Sequence, residues 1–496
     1  MLYVTPKQMQ QLERLTDARS ISYAEMMERA GAALACEILK FVPDAQHVLF
    51  LAGTGNNGGD CYVAAKYLHR KGVHASVCAP LGAPKTEISR AAAAQAAAEG
   101  AELLSAEKLP EADVIVDGLF GTGFHGELPE AVRPFLERRE GRTHIAVDIP
   151  SGGNGGTGAV SEGAFRADLT VTFGYAKLGM TQYPLREYCG QIVTADIGIV
   201  PASDLDSPVA VLLELNEVQN QLPRRRPDAH KNRSGHLLTV AGSVRMRGAC
   251  VLAVTAAMRS GVGLQTAAAP ESALQAICVR TPEVMCLPLQ TDAEGFLLDL
   301  PNRDLLKRYM AGKQALLIGC GMGVTEETRN LTKFLLSESD CPVIVDADGL
   351  NCLTGCIECL PEGRTVLTPH PGEAARLLGM DIAAVQADRP SAALRLAEKT
   401  GAVVVLKGAG TIVTDGKHMA VCTLGNAGMA RAGSGDVLAG ITAALAAQGM
   451  PLFEAACAAV TLHAAAGDTA AARLPHAYML PQDLIAALAE VLPESE

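Results

Sequence analysis

Short apolar runs alternate with longer helical stretches from the start of the chain. "HVLFLAG" (47–53) is an unbroken apolar run of strand length, and the segment from Gly58 to Lys71 after it has a helical pattern. "VHASVCA" and the Ala-rich stretch 87–99 repeat that alternation. "ADVIVDGLFGTG" and "HIAVDIPSG" add strands that end in glycine-rich loops. Continuous apolar runs belong to strands covered on both faces, and with helices between them they predict a parallel sheet. The pattern breaks around 200–230, where "PASDLDSP" and "LPRRRPDAHKNRSG" are polar, charged and rich in proline. A second α/β series begins at "GHLLTVAGS" (235–243). It continues through "QALLIGCGMG", "PVIVDADGL", "RTVLTPHPGE" and "AVVVLKGAGTIVTDG", then closes with three Ala/Leu-rich helices starting at Asp436. Two domains are therefore expected, 1–210 and 220–496, with the boundary near 205–225. No repeat relates the two halves.

Composition sharpens this picture in three ways. At 496 residues the chain can bury a core in each half, and 49% hydrophobic against 19% charged residues excludes a disordered protein. A net charge of −12 argues against a nucleic-acid or anionic-membrane surface. The basic cluster Arg224 to Arg226 is flanked by Pro223 and Pro227 and reads as a solvated linker. The opening "MLYVTPKQMQQLERL" has no signal-peptide pattern and no apolar run is long enough to span a bilayer, so a cytoplasmic enzyme is expected. Fourteen cysteines then read as reduced thiols. Cys352, Cys356 and Cys359 have the C-x3-C-x2-C spacing that can hold an iron–sulfur cluster. The same spacing is i, i+4, i+7 on one face of a short helix, which is the reading adopted.

In the first half "GTGNNG" (53–58) has the form of a dinucleotide fingerprint. The acid expected about 20 residues further on for a ribose is missing, and Asp60 would repel a pyrophosphate. A simple redox site is not expected. Three strand ends instead carry oxygen donors: Asn56, Asn57 and Asp60 in "GNNGGD", Asp117 in "DGLFGTG", and Asp148 and Ser151 in "DIPSG". Each alone is an ordinary turn residue. Together, at the carboxyl edge of one parallel sheet, they can converge on a cation or a polar ligand.

In the second half "RAGSGDVLAG" (431–440) sets Asp436 behind Gly433 and Gly435, just before an apolar helix. Backbone N–H groups of such a turn can face a phosphoryl group, and a carboxylate at its lip can take a proton from an attacking hydroxyl. Asp is also favoured at helix starts, so Asp436 is read as a base that incidentally caps. "KGAGT" (407–411) supplies a second glycine loop with Lys407 for nucleotide phosphates. "GCGMG" (319–323) offers close backbone approach, and His370 in "TPHPGE" is a contact candidate. The set fits a ribokinase-like fold, on which a small-molecule kinase and a phosphate-dependent dehydratase both remain possible.

Longer motif strings carry a resemblance. Residues 1 to about 205, through "MERAG", "GNNGGD", "DGLFGTG", "DIPSG", "TFGYAKLGM" and "DIGIV", resemble NAD(P)H-hydrate epimerase domains, which implies a Rossmann-like doubly wound sheet. By that resemblance Asn56, Asn57, Gly58, Gly59, Asp60, Gly121, Thr122, Gly123, Phe124, His125, Gly126, Glu127 and Asp148 contact the hydrated nucleotide, while Asn57, Asp117 and Ser151 hold a potassium ion. Cys61 stands where the family has glycine, and "GNGGTG" follows "DIPSG" in place of an Asp-containing stretch. From about 215 to 496 the chain resembles ADP-dependent NAD(P)H-hydrate dehydratases through "HKNRSGHLLTVAGS", "GACVLAVTAAMRSGVG", "PEVM", "GCGMG", "DADGLN", "LTPHPGEAARLLG", "KGAGT" and "GNAGMARAGSGDVLAGI", with Asn232 as a departure. This implies that Ala249, Gly321 or Gly323, His370 and Asp436 line the hydrate site. Lys407, Gly408, Ala409, Gly410, Thr411 and Gly435 would hold ADP with magnesium. The implied activity is epimerisation of hydrated NADH and NADPH coupled to dehydration of the S form, with small-molecule partners only and a homo-oligomeric state. A ribokinase-like small-molecule kinase fused to a non-catalytic nucleotide-binding module is the alternative. It would release a stable phosphorylated alcohol and not restore reduced nicotinamide.

Overall fold

The computed structural model describes residues 1–106, 109–137, 140–224 and 231–493; Arg225 and Arg226 of the basic cluster lie outside them. The chain divides into two compact units, Met1–Ala210 and Val211–Glu496.

In the first unit seven strands form one sheet, all parallel. The strand His47–Ala52 is flanked on one side by His74–Cys78 and then Glu102–Leu104. On the other side come Val114–Gly118, Thr143–Val147, Leu169–Phe173 and Gln191–Ala195. Strand order therefore reverses between His47–Ala52 and Val114–Gly118, and a crevice opens there at the carboxyl ends. Burial on both faces explains the unbroken apolar runs. Val48, Phe50 and Ala52 point into a core with the helices Tyr23–Phe41 and Asn56–Arg70, while Leu49 and Leu51 point into a second core with Leu128, Val132 and Phe165. Each fully buried side chain of this size contributes about 1.5–3 kcal/mol.

In the second unit nine strands run side by side. His236–Val240 is flanked by Leu264–Ala269 and Met285–Pro288 on one side. On the other side come Ala315–Ile318, Val343–Val345, Thr365–Leu367, Val403–Leu406, Thr411–Thr414 and Met419–Cys422. Pairing is parallel as far as Val403–Leu406 and antiparallel beyond it. The last two strands therefore depart from the all-parallel pattern, because the short link "KGAG" can close only a hairpin. Order again reverses, here between His236–Val240 and Ala315–Ile318. The final helices are Ser434–Ala447, Leu452–Ala471 and Pro481–Val491, the first opening two residues before Asp436. Helix Ser434–Ala447 is buried almost all round. A Cβ on its Gly440 would come within 2.2 Å of the Ala253 carbonyl oxygen, so glycine there permits close packing on helix Arg247–Arg259.

The three clustered cysteines do not share a helix face. Helix Asp348–Cys352 ends at the first, and Cys359 closes a separate 3-10 turn, Ile357–Cys359. Gly355 adopts φ +82° between them and breaks the helical register.

Candidate active sites

The reversal point of the first unit opens into a cleft of about 720 Å³. Asn56, Asn57 and Asp60 enter from the first turns of helix Asn56–Arg70, and Gly121, Thr122, Gly123, Phe124, His125 and Glu127 from the loop after Val114–Gly118. Asp148, Lys177 and, from the first helix, Glu13 also line the cleft. Gly58, Gly59 and Gly126 do not line it. Gly58 instead serves close packing, since a Cβ there would meet the Gly53 carbonyl oxygen at 2.0 Å.

Asp117 is fully buried below the cleft. It accepts hydrogen bonds from Ser151 Oγ (2.6 Å), Ser151 N–H (2.7 Å) and Leu119 N–H (3.1 Å). Burial pushes its carboxyl up to about 6 even though the Ser151 bonds pull it down. Asn57 lies against the same loop, its Oδ1 3.0 Å from where a Cβ on Gly121 would sit, and its buried Nδ2 has no partner among the described residues. A carboxylate, an amide oxygen and a hydroxyl form a hard-oxygen donor set, and that chemistry fits a potassium ion.

Asp148 has a positive φ, 65°, rare for a residue with a side chain. The strained backbone is held by its contacts. Asp148 Oδ1 accepts from Thr172 Oγ1 (3.0 Å) and pairs with Lys177, only 1% of whose side chain is exposed. Asp60 differs from the sequence expectation. Burial, reinforced by Asp148 and Glu13, pushes its carboxyl well above the usual range, which weakens the expected repulsion of an anionic ligand. Cys61 fits because its Sγ occupies the space above Gly118, where a Cβ would be 2.2 Å away; its thiol is buried and pushed up by burial. The "GNGGTG" stretch folds on itself through Asn154 Oδ1, which accepts from Gly156 and Thr157 N–H groups, and it packs under the loop that carries Lys177.

In the second unit the strand ends at the reversal point converge on Asp436. Gly433, at φ +100°, occupies the cap position of helix Ser434–Ala447, and Asp436 sits in the first turn. The capping half of the sequence reading is not realised: helix Ser434–Ala447 shows no side-chain cap hydrogen bond among the described residues, and the Cys320 thiol beside Asp436 donates to Asp346 Oδ2 (3.9 Å). Ligand atoms of Cys320, Asp346 and Asp436 lie within 4.8 Å of one another. Burial, then the neighbouring Asp346, pushes Asp436 up to about 7. Glu373 is pushed up to about 7 by burial as well, against the pull of Lys407.

Lys407 Nζ donates to Asp346 Oδ1 (2.7 Å) and lies 3.9 Å from Glu373. A Cβ on Gly435 would be 3.2 Å from that Nζ, so the ammonium sits against the glycine turn. Burial lowers the Lys407 pKa, but the carboxylates of Asp346 and Glu373 outweigh it and the net direction is upward. Gly408 and Gly410 take positive φ in the loop behind Lys407, where Thr411 Oγ1 donates to the Gly408 carbonyl. Gly321 approaches Ala249 closely: a Cβ there would be 2.8 Å from the Ala249 Cβ. Gly323 N–H donates to Asp348 Oδ2 (2.8 Å). His370 is the N-cap of helix Pro371–Leu378 through Nδ1, and its half-exposed ring is held below its ordinary pKa by burial and Lys407. Ala347 beside Asp346 has φ +50°, a second strained residue at a strand end.

Sequence reasoning missed Lys177, Asp346, Cys320 and Glu373. All four lie in motifs already quoted, "TFGYAKLGM", "DADGLN", "GCGMG" and "TPHPGE". For Lys177, Cys320 and Asp346 the available signal was a place at or just past a strand end, whereas Glu373 lies in the first turn of helix Pro371–Leu378. It also missed Glu13, which no strand end marks.

Two doubly wound units, each with buried carboxyl groups and lysine gathered at its strand-order reversal, define a two-site α/β enzyme of the small-molecule type. A family model for NAD(P)H-hydrate dehydratase matches residues 237–490, and one for the YjeF-related protein N-terminus matches 23–179. The chain is 40% identical to the bifunctional NAD(P)H-hydrate repair enzyme Nnr of Thermofilum pendens, covering 90% of this chain and 87% of that one. It is 38% identical to the enzyme of that name from Moorella thermoacetica, covering 99% and 97%. A solved ribokinase-like superfamily protein of Enterococcus faecalis aligns with 57% of this chain and 95% of its own at 26% identity, with a TM-score of 0.52. The chain belongs to the bifunctional NAD(P)H-hydrate repair enzymes. That kinship over both halves does not favour the alternative of a kinase fused to a binding module.

Proposed function

We propose that the first unit interconverts the R and S forms of hydrated NADH and NADPH, and that the second dehydrates the S form at the expense of ADP. The observation that carries this reading is Asp436, a carboxyl pushed up to about 7 behind a glycine turn, with Lys407 against the same turn. A base with that pKa is matched to proton transfer at neutral pH. Asp436 would take the proton of the hydrate's hydroxyl. The hydroxyl oxygen would then attack the terminal phosphorus of ADP and displace AMP; cleavage of the C–O bond would expel phosphate, and loss of a proton from the neighbouring ring carbon would restore the double bond of the reduced ring. Lys407 and the N–H groups of the Gly433–Gly435 turn would offset the charge on the phosphoryl oxygens. His370, neutral at pH 7, would contact the hydrate across from Ala249 and Gly321.

Magnesium with ADP would find a hard donor in Asp346, whereas the soft Cys320 thiol suits it poorly. Its role there would be to neutralise phosphate charge. In the first unit Asn57, Asp117 and Ser151 would hold potassium, which would orient the nucleotide's polar groups. A homo-oligomer in the cytoplasm is the remaining expectation. Among the described residues no helix is long and apolar enough to cross a membrane.

The test is incubation with mixed hydrate epimers plus ADP or ATP, following reduced nicotinamide and free phosphate together. ADP is expected to support equal, stoichiometric gains of both, faster than ATP. A phosphorylated product without reduced nicotinamide would overturn the reading.

A further inference from the structure

Glu13 reaches the epimerase cleft from an element that carries no motif. Helix Pro6–Arg19 begins at a capping box between Thr5 and Gln8 and buries Met9, Leu12 and Thr16 along one face. Glu13 follows Leu12 at the edge of that face and lines the 720 Å³ cleft with Asp60, Asp148 and Lys177. It lies outside the family-matched segment, which starts at residue 23.

The other acids of the cleft have partners or are deeply buried; Glu127 accepts from Ser161 Oγ (3.1 Å). Asp148 is held by Lys177 and Thr172, and Asp117 below it by Ser151 and Leu119. Asp60 is buried, and burial pushes its carboxyl well above the usual range. The Glu13 carboxyl has no hydrogen-bond partner among the described residues and keeps access to the cleft.

Epimerisation of the hydrate has a specific demand. The hydroxyl-bearing carbon is bonded to the ring nitrogen, so it can invert by losing water and regaining it on the other face. The leaving hydroxyl needs a proton, and the returning water must give one up. On the reading of the first site given above, we propose that Glu13 is the acid and base of this exchange. The carboxyl donates its proton to the hydroxyl, the C–O bond breaks, and the nitrogen lone pair forms a C=N bond as water departs. Water then adds to the opposite face and returns a proton to the Glu13 carboxylate. Atoms and charge balance over the cycle, and no co-reactant is consumed.

Burial, and after it the Asp148 charge, pushes Glu13 up to about 7 against the opposing pull of Lys177, so both protonation states are populated at neutral pH. The titratable groups around it are Asp60 from helix Asn56–Arg70, Tyr23 from helix Tyr23–Phe41, and Asp148 and Lys177 from the strand-end loops.

The full-length Glu13→Gln variant is assayed with purified R epimers by chromatography, with dehydration of S epimers as the control within the same chain. Interconversion is expected to fall at least about 100-fold in kcat with little change in KM. The pH inflection near 7 expected of the wild type should be missing from the residual rate. Glu13→Ala should regain activity with added formate, which keeps the idea testable if the Gln variant folds poorly. A Gln variant within threefold of wild type, a loss confined to KM, or an unchanged pH profile would overturn the role of Glu13. A wild type that does not interconvert the epimers above the spontaneous rate would instead overturn the underlying reading of the site.

Discussion

Replacing Asp436 by Asn separates what this residue does for catalysis from what it costs the fold. The carboxyl stands at about 7 in the folded unit against an ordinary 3.8, because it is buried beside Asp346. Between pH 4 and 7 the folded protein therefore keeps a proton that the unfolded chain has lost. Protons bound are greater in the native state, so stability declines as pH rises through this window. A shift of about three units corresponds to about 4 kcal/mol by pH 8, the ceiling before water relaxes around the charge. Asn has the same size and never ionises. Asp436→Asn is expected to match the wild type in melting temperature near pH 4 and to exceed it by several degrees near pH 8. Losing the base should lower the dehydration rate about 10²–10⁴-fold, with reduced nicotinamide and phosphate falling together and R/S interconversion unaffected. Calorimetry across pH 4–8 and the coupled absorbance and phosphate assay measure the two halves. A folded Asp436→Asn protein that dehydrates at nearly the wild-type rate would refute the mechanism. A melting temperature below wild type at pH 8 would refute the account of the buried charge.

Three further outcomes are expected. Asp148→Ala leaves Lys177 buried without its carboxylate, so the first unit should lose about 3–5 kcal/mol in denaturant titration while R hydrate accumulates and S hydrate is still consumed; normal R turnover would remove Asp148 from the site. Lys407→Met should raise the KM for ADP and destabilise the second unit by stranding Asp346, and an unchanged KM would mean that the lysine serves only its ion pair. Cutting the chain within 205–220 should yield two soluble pieces, because each unit has its own sheet and core; failure of both pieces to melt cooperatively would refute two independent domains.

Much of the architecture was legible from the alternation of apolar runs and helices, because a strand covered on both faces must be apolar throughout. "HVLFLAG" could be nothing else once both Phe50 and Leu51 had to be buried, on opposite faces. The glycines of "GNNGGD" and "RAGSGD" marked the two sites for a similar local reason: a Cβ on Gly58 would meet the Gly53 carbonyl oxygen, and Gly433 holds a positive φ, so each position leaves little choice of residue. The sequence also placed the carboxylates Asp117 and Asp148, each directly behind an apolar run, and Asp436 at the start of an apolar helix. Only the tertiary structure decided how those groups are charged. Asp436 was legible both as a cap and as a base, and the choice came from Gly433 holding the cap position and from Asp346 and Cys320 arriving on other strands. Asp60 read as a repelling anion, but its burial in the fold pushes the carboxyl above the usual range. The cysteine spacing suggested one helix face until Gly355 interrupted it. Glu13 lay in an unremarked amphipathic helix, and only the packing of that helix at the cleft brings it to Asp148 and Lys177. Local pattern is set by neighbours in the chain, but ionisation depends on solvent exclusion and on charges brought together from distant positions, so it belongs to the folded molecule alone.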